Sequence, residues 1–140
     1  MTELVTTPVS DKIWDAFEAL SDPDGFIPAN RLAYLGINVP ESRPSGSIYY
    51  SPTSSRKILR SAEPVLVQPV RVSVSLVRER FTELLDGERA DGLSAACLDL
   101  YPGGVFILSG TPRVVASRLL GLDIPTRIWS HASISRRSVA

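Results

Sequence analysis

The sequence predicts an α/β (α+β) fold in which strands and helices follow in the order β-α-β-β-α-β over residues 65–129. Three observations lead to this prediction. Val65–Val74 is valine-rich and alternating, as in a strand, and Leu76–Leu85 follows with apolar residues at helical spacing. The wholly apolar run Val105–Leu108 indicates a central strand covered on both faces. Thr111–Leu120 has helical spacing again and ends at Gly121, a residue suited to a left-handed helix stop.

Turn residues bound the other elements of this unit. Asp86 and Gly87 end the first helix. Leu93–Tyr101 is predicted to be a strand, and the Pro-Gly-Gly sequence after it is a tight turn. Ile124–Trp129 is the last strand, so residues 65–129 account for one small domain.

The residues before this domain divide into a helical segment over 1–37 and an arm over 38–64. A helix is predicted over residues 10–20, and a second short one over Pro28–Leu35 stops at Gly36. The pair is expected to form a helical hairpin that packs on the main domain. Residues 38–64 are rich in Pro and Ser, which predicts a linker or extended arm. Residues 130–140 are predicted to be a flexible basic tail.

Specific predictions can be made for two segments of the arm. Ile48–Tyr50 is expected to form a short strand. Arg56–Arg60 is the densest positive cluster in the chain. It is either a solvated turn of helix or a patch that touches a phosphate backbone.

Composition excludes several classes of protein. The 140 residues hold fifteen Lys and Arg against fifteen Asp and Glu, so a strongly basic nucleic-acid arm is not expected for the chain as a whole. Cys97 is the one cysteine, so an internal disulfide is impossible, and His131 is the one histidine. The N-terminus lacks the features of a signal peptide, and no apolar run approaches the ~20 residues that cross a bilayer. A cytoplasmic location without a membrane partner is therefore expected.

The candidate site is the turn Ser109–Arg113, which joins a predicted strand to a helix start. Backbone N–H groups in a first helical turn have no partner within the helix, and the helix dipole adds positive charge there. Gly110 allows a ligand to approach the backbone, and Thr111 offers a hydroxyl. Arg113 adds a guanidinium, so Ser109, Gly110, Thr111 and Arg113 are predicted to bind phosphate. In the alternative interpretation, Thr111 only caps the helix and Arg113 is solvated.

The segment Val105–Ile128 resembles the ParB/sulfiredoxin superfamily. The shared features are a strand that ends in glycine, a helix start with arginine, an alanine in the helix, then Leu-Gly-x-x-x-Pro and a final strand. They correspond to Gly110, Arg113, Ala116, Leu120-Gly121 and Pro125. The resemblance covers residues 65–129 and implies a small α/β domain that binds a nucleotide or nucleic-acid phosphate at the helix start. Its branches include CTP- and DNA-binding partition proteins, ParB-like nucleases, sulfiredoxins and a serine kinase.

The sequence departs from the family at the two positions after the glycine. Thr111 stands where the catalytic cysteine or the metal-binding glutamate would be, and Pro112 replaces a histidine or arginine. The resemblance implies CTP or ATP with Mg²⁺ as candidate cofactors, although no metal ligands are assigned. Glu88 and Asp91, from the acidic group Glu83, Asp86, Glu88 and Asp91, are candidate catalytic acids. Arg89 and Arg118 are candidate auxiliary cations.

Three functions fit these observations. The first is a nucleotide- or DNA-phosphate-binding module without turnover. The second is an active metal-dependent ParB-like nuclease or phosphotransferase. The third is an interaction protein of phage or mobile-element origin with a degenerate site. Its protein partner, or a second copy of the chain, would contact residues 1–64, including Trp14, Phe17, Tyr49 and Tyr50.

Overall fold

A computed structural model of the chain describes residues 8–41, 55–88, 95–101 and 103–130. The helices are α1 (Pro8–Glu18), a 3-10 helix (Ala29–Leu35), α2 (Val74–Leu85) and α3 (Thr111–Leu120). The strands are β1 (Phe26–Pro28), β2 (Ile37–Asn38), β3 (Ser55–Leu59), β4 (Val65–Leu66), β5 (Arg71–Ser73), β6 (Ala96–Tyr101), β7 (Gly104–Ser109) and β8 (Ile124–Ser130). The predicted mixture of helices and strands is confirmed.

Six strands form a mixed sheet in the order β2-β4-β7-β6-β8-β3. The pairs β2–β4, β4–β7 and β6–β8 are parallel, whereas β6–β7 and β3–β8 are antiparallel. Strands β1 and β5 form a separate antiparallel pair. The sheet places β7 near its centre, so the turn from β7 into α3 begins at a fixed point of the fold.

One cluster of buried side chains joins the helices to the sheet. Val77 of α2 and Val115 of α3 belong to it, as do Leu98 of β6 and Ile107 of β7. Trp14 and Phe17 of α1 also lie in this core, with 7% and 0% of their surface exposed. These two aromatic residues therefore do not form the contact surface that the interaction hypothesis assigned to them. Tyr49 and Tyr50, also assigned to that surface, lie outside the described residues.

The end of the predicted 38–64 arm is part of the sheet. Strand β3 pairs along its whole length with β8, from Ser55 opposite Ile128 to Leu59 opposite Ile124. The prediction of a helical turn at Arg56–Arg60 is therefore wrong: Leu59 is buried while Arg56 and Ile58 are exposed, and extended backbone is needed for that alternation. The predicted strand at Ile48–Tyr50 lies outside the described residues.

The predicted strand Val65–Val74 is two strands in two different sheets. Val65 and Leu66 belong to the six-stranded sheet, whereas Arg71–Ser73 pairs with β1. The pairing with β2 ends at the hydrogen bond from the Val67 N–H to the Asn38 carbonyl, and Pro69, which has no N–H to donate, lies between the two strands. Val74, predicted as the end of the strand, is the first residue of α2, because Ser73 caps that helix by accepting from the Leu76 N–H at 3.4 Å.

Strand β7 is central, as predicted, but it is not covered along its whole length. Phe106 and Ile107 are buried, whereas Leu108 is 48% exposed. The register between β6 and β7 shifts next to Cys97, which pairs with Ser109 while Leu98 pairs with Ile107. Leu108 is the extra residue of this bulge, so it leaves the regular alternation of the strand. In the described ranges, the helices are too short and too polar to span a bilayer.

Candidate functional site

The β7–α3 turn begins at Ser109, the exposed last residue of β7, and continues through Gly110 into the helix. Gly110 is the N-cap of α3 and has a φ of +86°, which is unfavourable for residues with a side chain. A Cβ at Gly110 would lie 2.9 Å from both the Cα and the Cβ of Ala96 on β6. The fold itself therefore requires glycine at this position, whether or not a ligand approaches it.

The Gly110 carbonyl also accepts hydrogen bonds from backbone N–H groups that the sequence predicted to be available to a ligand. Its carbonyl accepts from the N–H of Arg113 at 3.0 Å and from the N–H of Val114 at 3.1 Å. Pro112 has no N–H. Within the first turn, the Thr111 N–H and hydroxyl are the donors that the Gly110 carbonyl does not engage. Thr111 is the first helical residue and does not cap α3 with its side chain.

Arg113 is buried, in contrast to the solvated side chain of the alternative interpretation. It is 9% exposed, and its Nη2 donates to Oε1 of Glu83 at 3.1 Å. The other oxygen of Glu83, Oε2, accepts from Nη1 of Arg80 at 2.6 Å. Helix α2 thus supplies a carboxylate that holds the guanidinium at the start of α3, with a second arginine on the far side of the carboxylate.

The cluster of Arg80, Glu83 and Arg113 extends to Glu79, whose Oε1 lies 3.7 Å from Nη2 of Arg80, so two positive charges face two negative charges. The Arg113 Nη1 is buried and has no hydrogen-bond partner among the described residues. A buried donor without a partner costs about 1–3 kcal/mol. The cluster therefore leaves one buried guanidinium donor unused, and an oxyanion would satisfy it.

Arg118 is also buried, but at the other end of α3. It lies five residues after Arg113, which places it ~7.5 Å further along the helix axis. Its Nη1 donates to the Leu35 carbonyl at 3.4 Å, at the end of the 3-10 helix. Burial lowers the pKa of the Arg118 guanidinium, and the nearby Glu63 carboxylate opposes that shift. The described contacts therefore connect Arg118 to the 3-10 helix.

The structure describes part of the acidic group predicted beside the site. Glu83 is engaged by two arginines, whereas Asp86 and Glu88 are exposed after the end of α2. Asp91 and Arg89 lie outside the described residues. The described ranges hold no group of three or more His, Cys, Asp and Glu side chains that could share a metal ion. The described part of the turn thus fits a phosphate oxygen, but it supplies no cluster of Mg²⁺ ligands.

Sequence reasoning did not assign Arg80 to the site, and it gave Glu83 a different role. Glu83 was grouped with the acids from which the candidate catalytic residues were chosen, and its partner Arg113 is thirty residues away in sequence. The spacing of Arg80 and Glu83, three apart on one helix, predicts an ion pair on its own. The ion pair between Glu83 of α2 and Arg113 of α3 depends on how the two helices pack, which the spacing of residues within each helix does not indicate.

Comparison of the chain with protein-family models, with curated proteins and with solved structures finds no match.

Proposed function

We propose that this protein binds one phosphate group of a nucleotide or nucleic acid at the β7–α3 turn and does not turn it over. The proposal rests above all on Arg113: nine-tenths buried, fixed through Nη2 by Glu83, and left with a buried Nη1 that has no partner among the described residues. An arginine held in this way can donate to a phosphate oxygen without first losing side-chain freedom.

Two neighbouring features support phosphate as the ligand. The Thr111 N–H and hydroxyl lie in the same helical turn, at the positive end of the α3 dipole. The ion pairs of Arg80, Arg113, Glu79 and Glu83 balance in charge, so the attraction for an anion comes from the unpartnered Nη1 of Arg113 and from the helix dipole. The resemblance of residues 65–129 to ParB-like proteins favours CTP or ATP as the nucleotide, with short DNA as the alternative phosphate source.

Binding without turnover follows from the side chains that are present. Thr111 and Pro112 occupy the positions where the resembling family carries its reactive or metal-binding groups. Glu83, the nearest described acid, is neutralised by two arginines and is a poor base or metal ligand in that state. A nuclease or phosphotransferase would need another acid, such as Glu88 or Asp91.

The test is calorimetric titration of the full chain with CTP, ATP, ADP and a short DNA duplex. A hydrogen bond to a charged group contributes about 1.5–3 kcal/mol. Because Arg113→Gln removes such a bond, we expect it to weaken binding by about 10- to 100-fold. Arg60→Gln is the matched control, because Arg60 is exposed and pairs with Asp123 rather than with Glu83, and this variant should bind within a few-fold of the wild type.

Three outcomes would overturn the proposal. They are no binding of any of these ligands, equal binding by Arg113→Gln and wild type, and hydrolysis of the bound nucleotide with Mg²⁺ or Mn²⁺. In the last case, Glu88→Gln and Asp91→Asn would show which acid is responsible.

A further inference from the structure

Arg118 is a buried cation whose hydrogen-bonding capacity is mostly unused. The residue is 7% exposed, and Nη1 alone of its guanidinium nitrogens donates to a described group, the Leu35 carbonyl. Its Nε and Nη2 are both buried and have no hydrogen-bond partner among the described residues. Native structures rarely leave such groups unsatisfied, so two on one side chain require an explanation.

The two unsatisfied atoms belong to one edge of the guanidinium. The N–H bonds of Nε and Nη2 lie side by side in one plane, and this edge matches the two oxygens of a carboxylate or phosphate. Nη1, which points away from that edge, is the atom that the protein holds. The contact to Leu35 therefore fixes the guanidinium while leaving the paired donors available for one bidentate partner.

Gly36 is part of how the side chain is accommodated. A Cβ at Gly36 would lie 3.1 Å from Nη1 of Arg118, and the residue has a φ of +74°. Glycine here both ends the 3-10 helix and leaves room for the guanidinium next to the Leu35 carbonyl.

Glu63, the acid near Arg118, is held by other groups. Glu63 accepts from Lys57 Nζ through Oε2 at 3.1 Å, and its Oε1 accepts from the backbone N–H of Arg60 at 3.5 Å. It is near enough to favour the charged form of Arg118 but forms no ion pair with it. The fold thus keeps a charged arginine next to an acid that other groups already hold.

We propose that the Nε–Nη2 edge of Arg118 binds a small oxyanion, a carboxylate or phosphate, in bidentate geometry. The site is independent of the phosphate site proposed at Arg113, because it lies at the other end of α3 and shares no described contact with it. Both nitrogens are shielded from solvent, so the ligand enters when the end of the 3-10 helix opens locally. Short 3-10 helices have weaker hydrogen-bond geometry than α-helices, which makes this segment suited to such opening.

The test measures thermal unfolding of the full chain in increasing acetate, and separately in inorganic phosphate, with chloride at equal ionic strength as the reference. The wild type should show a saturable rise in the unfolding midpoint that chloride does not produce. Acetate alone identifies a carboxylate site, phosphate alone a phosphate site, and both a general oxyanion site. A rise that increases without saturating, or none, would overturn the proposal.

Three variants connect the effect to Arg118. Arg118→Met should abolish the rise, and Arg118→Lys, which keeps the charge but loses the planar edge, should reduce it by at least half. Arg60→Met is the matched control on an exposed arginine and should keep the full rise. If Arg118→Met does not fold, a titration followed through the ¹⁵Nε–¹H signals of arginine decides instead. One such signal should shift saturably in the wild type and be absent from Arg118→Lys.

A fourth variant separates the two proposals. Arg113→Gln should keep the acetate or phosphate effect on stability, even if it no longer binds nucleotide. Loss of the effect in Arg113→Gln together with its persistence in Arg118→Lys would place the anion at the β7–α3 turn and overturn the Arg118 site.

Discussion

The two ends of α3 are built from the same kinds of residue but are stabilised differently. Each end has a glycine in the left-handed conformation, Gly110 and Gly121, and a buried arginine, Arg113 and Arg118. At the start of the helix, the arginine is held by the Glu83 carboxylate, and the glycine is confined by β6. At the end, the arginine is held by a backbone carbonyl, and the glycine has open space around it.

The difference shows that burial alone does not define the role of an arginine. A buried guanidinium beside a carboxylate is neutralised within the protein, and removing the carboxylate leaves an uncompensated charge. A buried guanidinium that is held by a carbonyl, with an acid near it but not paired to it, is compensated only in part, so removing it takes away a cost. The start of α3 is therefore expected to be sensitive to substitution, whereas the end is expected to tolerate it.

The largest expected loss of stability comes from substituting the glycine at the start of α3. Gly110→Ala should lower the free energy of unfolding by about 3 kcal/mol, because it combines a left-handed backbone with a clash against Ala96. Gly121→Ala is the matched control: its φ is +67°, and no atom lies within 4 Å of the added Cβ. It should cost only ~1 kcal/mol, the backbone penalty alone. Urea unfolding of both variants checks this, and equal losses would contradict the confinement of Gly110 by β6.

The next effect concerns the carboxylate at the start of the helix. Glu83→Gln should cost about 2 kcal/mol, because Arg113 and Arg80 both lose their charged partner. Glu79→Gln on the same helix removes an acid that is 61% exposed and should cost less than about 0.5 kcal/mol.

A double-mutant cycle connects the Glu83 effect to Arg113. In the Arg113→Met background, Glu83→Gln should cost less than in the wild type, with a coupling energy of about 1 kcal/mol. Equal costs in the two backgrounds would show that Glu83 acts through Arg80 alone. Urea unfolding of the four proteins provides the measurement.

The sequence predicted much of this helix and little of what surrounds it. Helical spacing, Pro112 near the start and Gly121 at the end are local signals, and they placed α3 at Thr111–Leu120 as observed. The burial of Arg113 depends on Glu83, thirty residues earlier on another helix. A pattern within one helix contains no information on that packing, so the helix by itself favoured the solvated alternative.

The same limit applies to the strands. Alternating valines predict extended backbone, and Val65–Leu66 and Arg71–Ser73 are extended. The alternation does not say which sheet each part joins, and the two parts belong to two different sheets. Likewise, the charges of Arg56–Arg60 suggested a solvated turn of helix, but these residues form β3, whose pairing with β8 depends on a strand about seventy residues away.

The smallest expected effect, and the one with the opposite sign, is at the end of α3. Arg118→Met keeps a long side chain for packing and removes a buried charge that forms no ion pair with a carboxylate. In chloride buffer without carboxylate or phosphate, we expect the variant to be about 1 kcal/mol more stable than the wild type. Arg113→Met, measured under the same conditions, should be destabilised because it breaks the pair with Glu83. If both variants lose stability equally, the charge of Arg118 is stabilised as strongly as that of Arg113. The contrast between the two ends of the helix then does not hold.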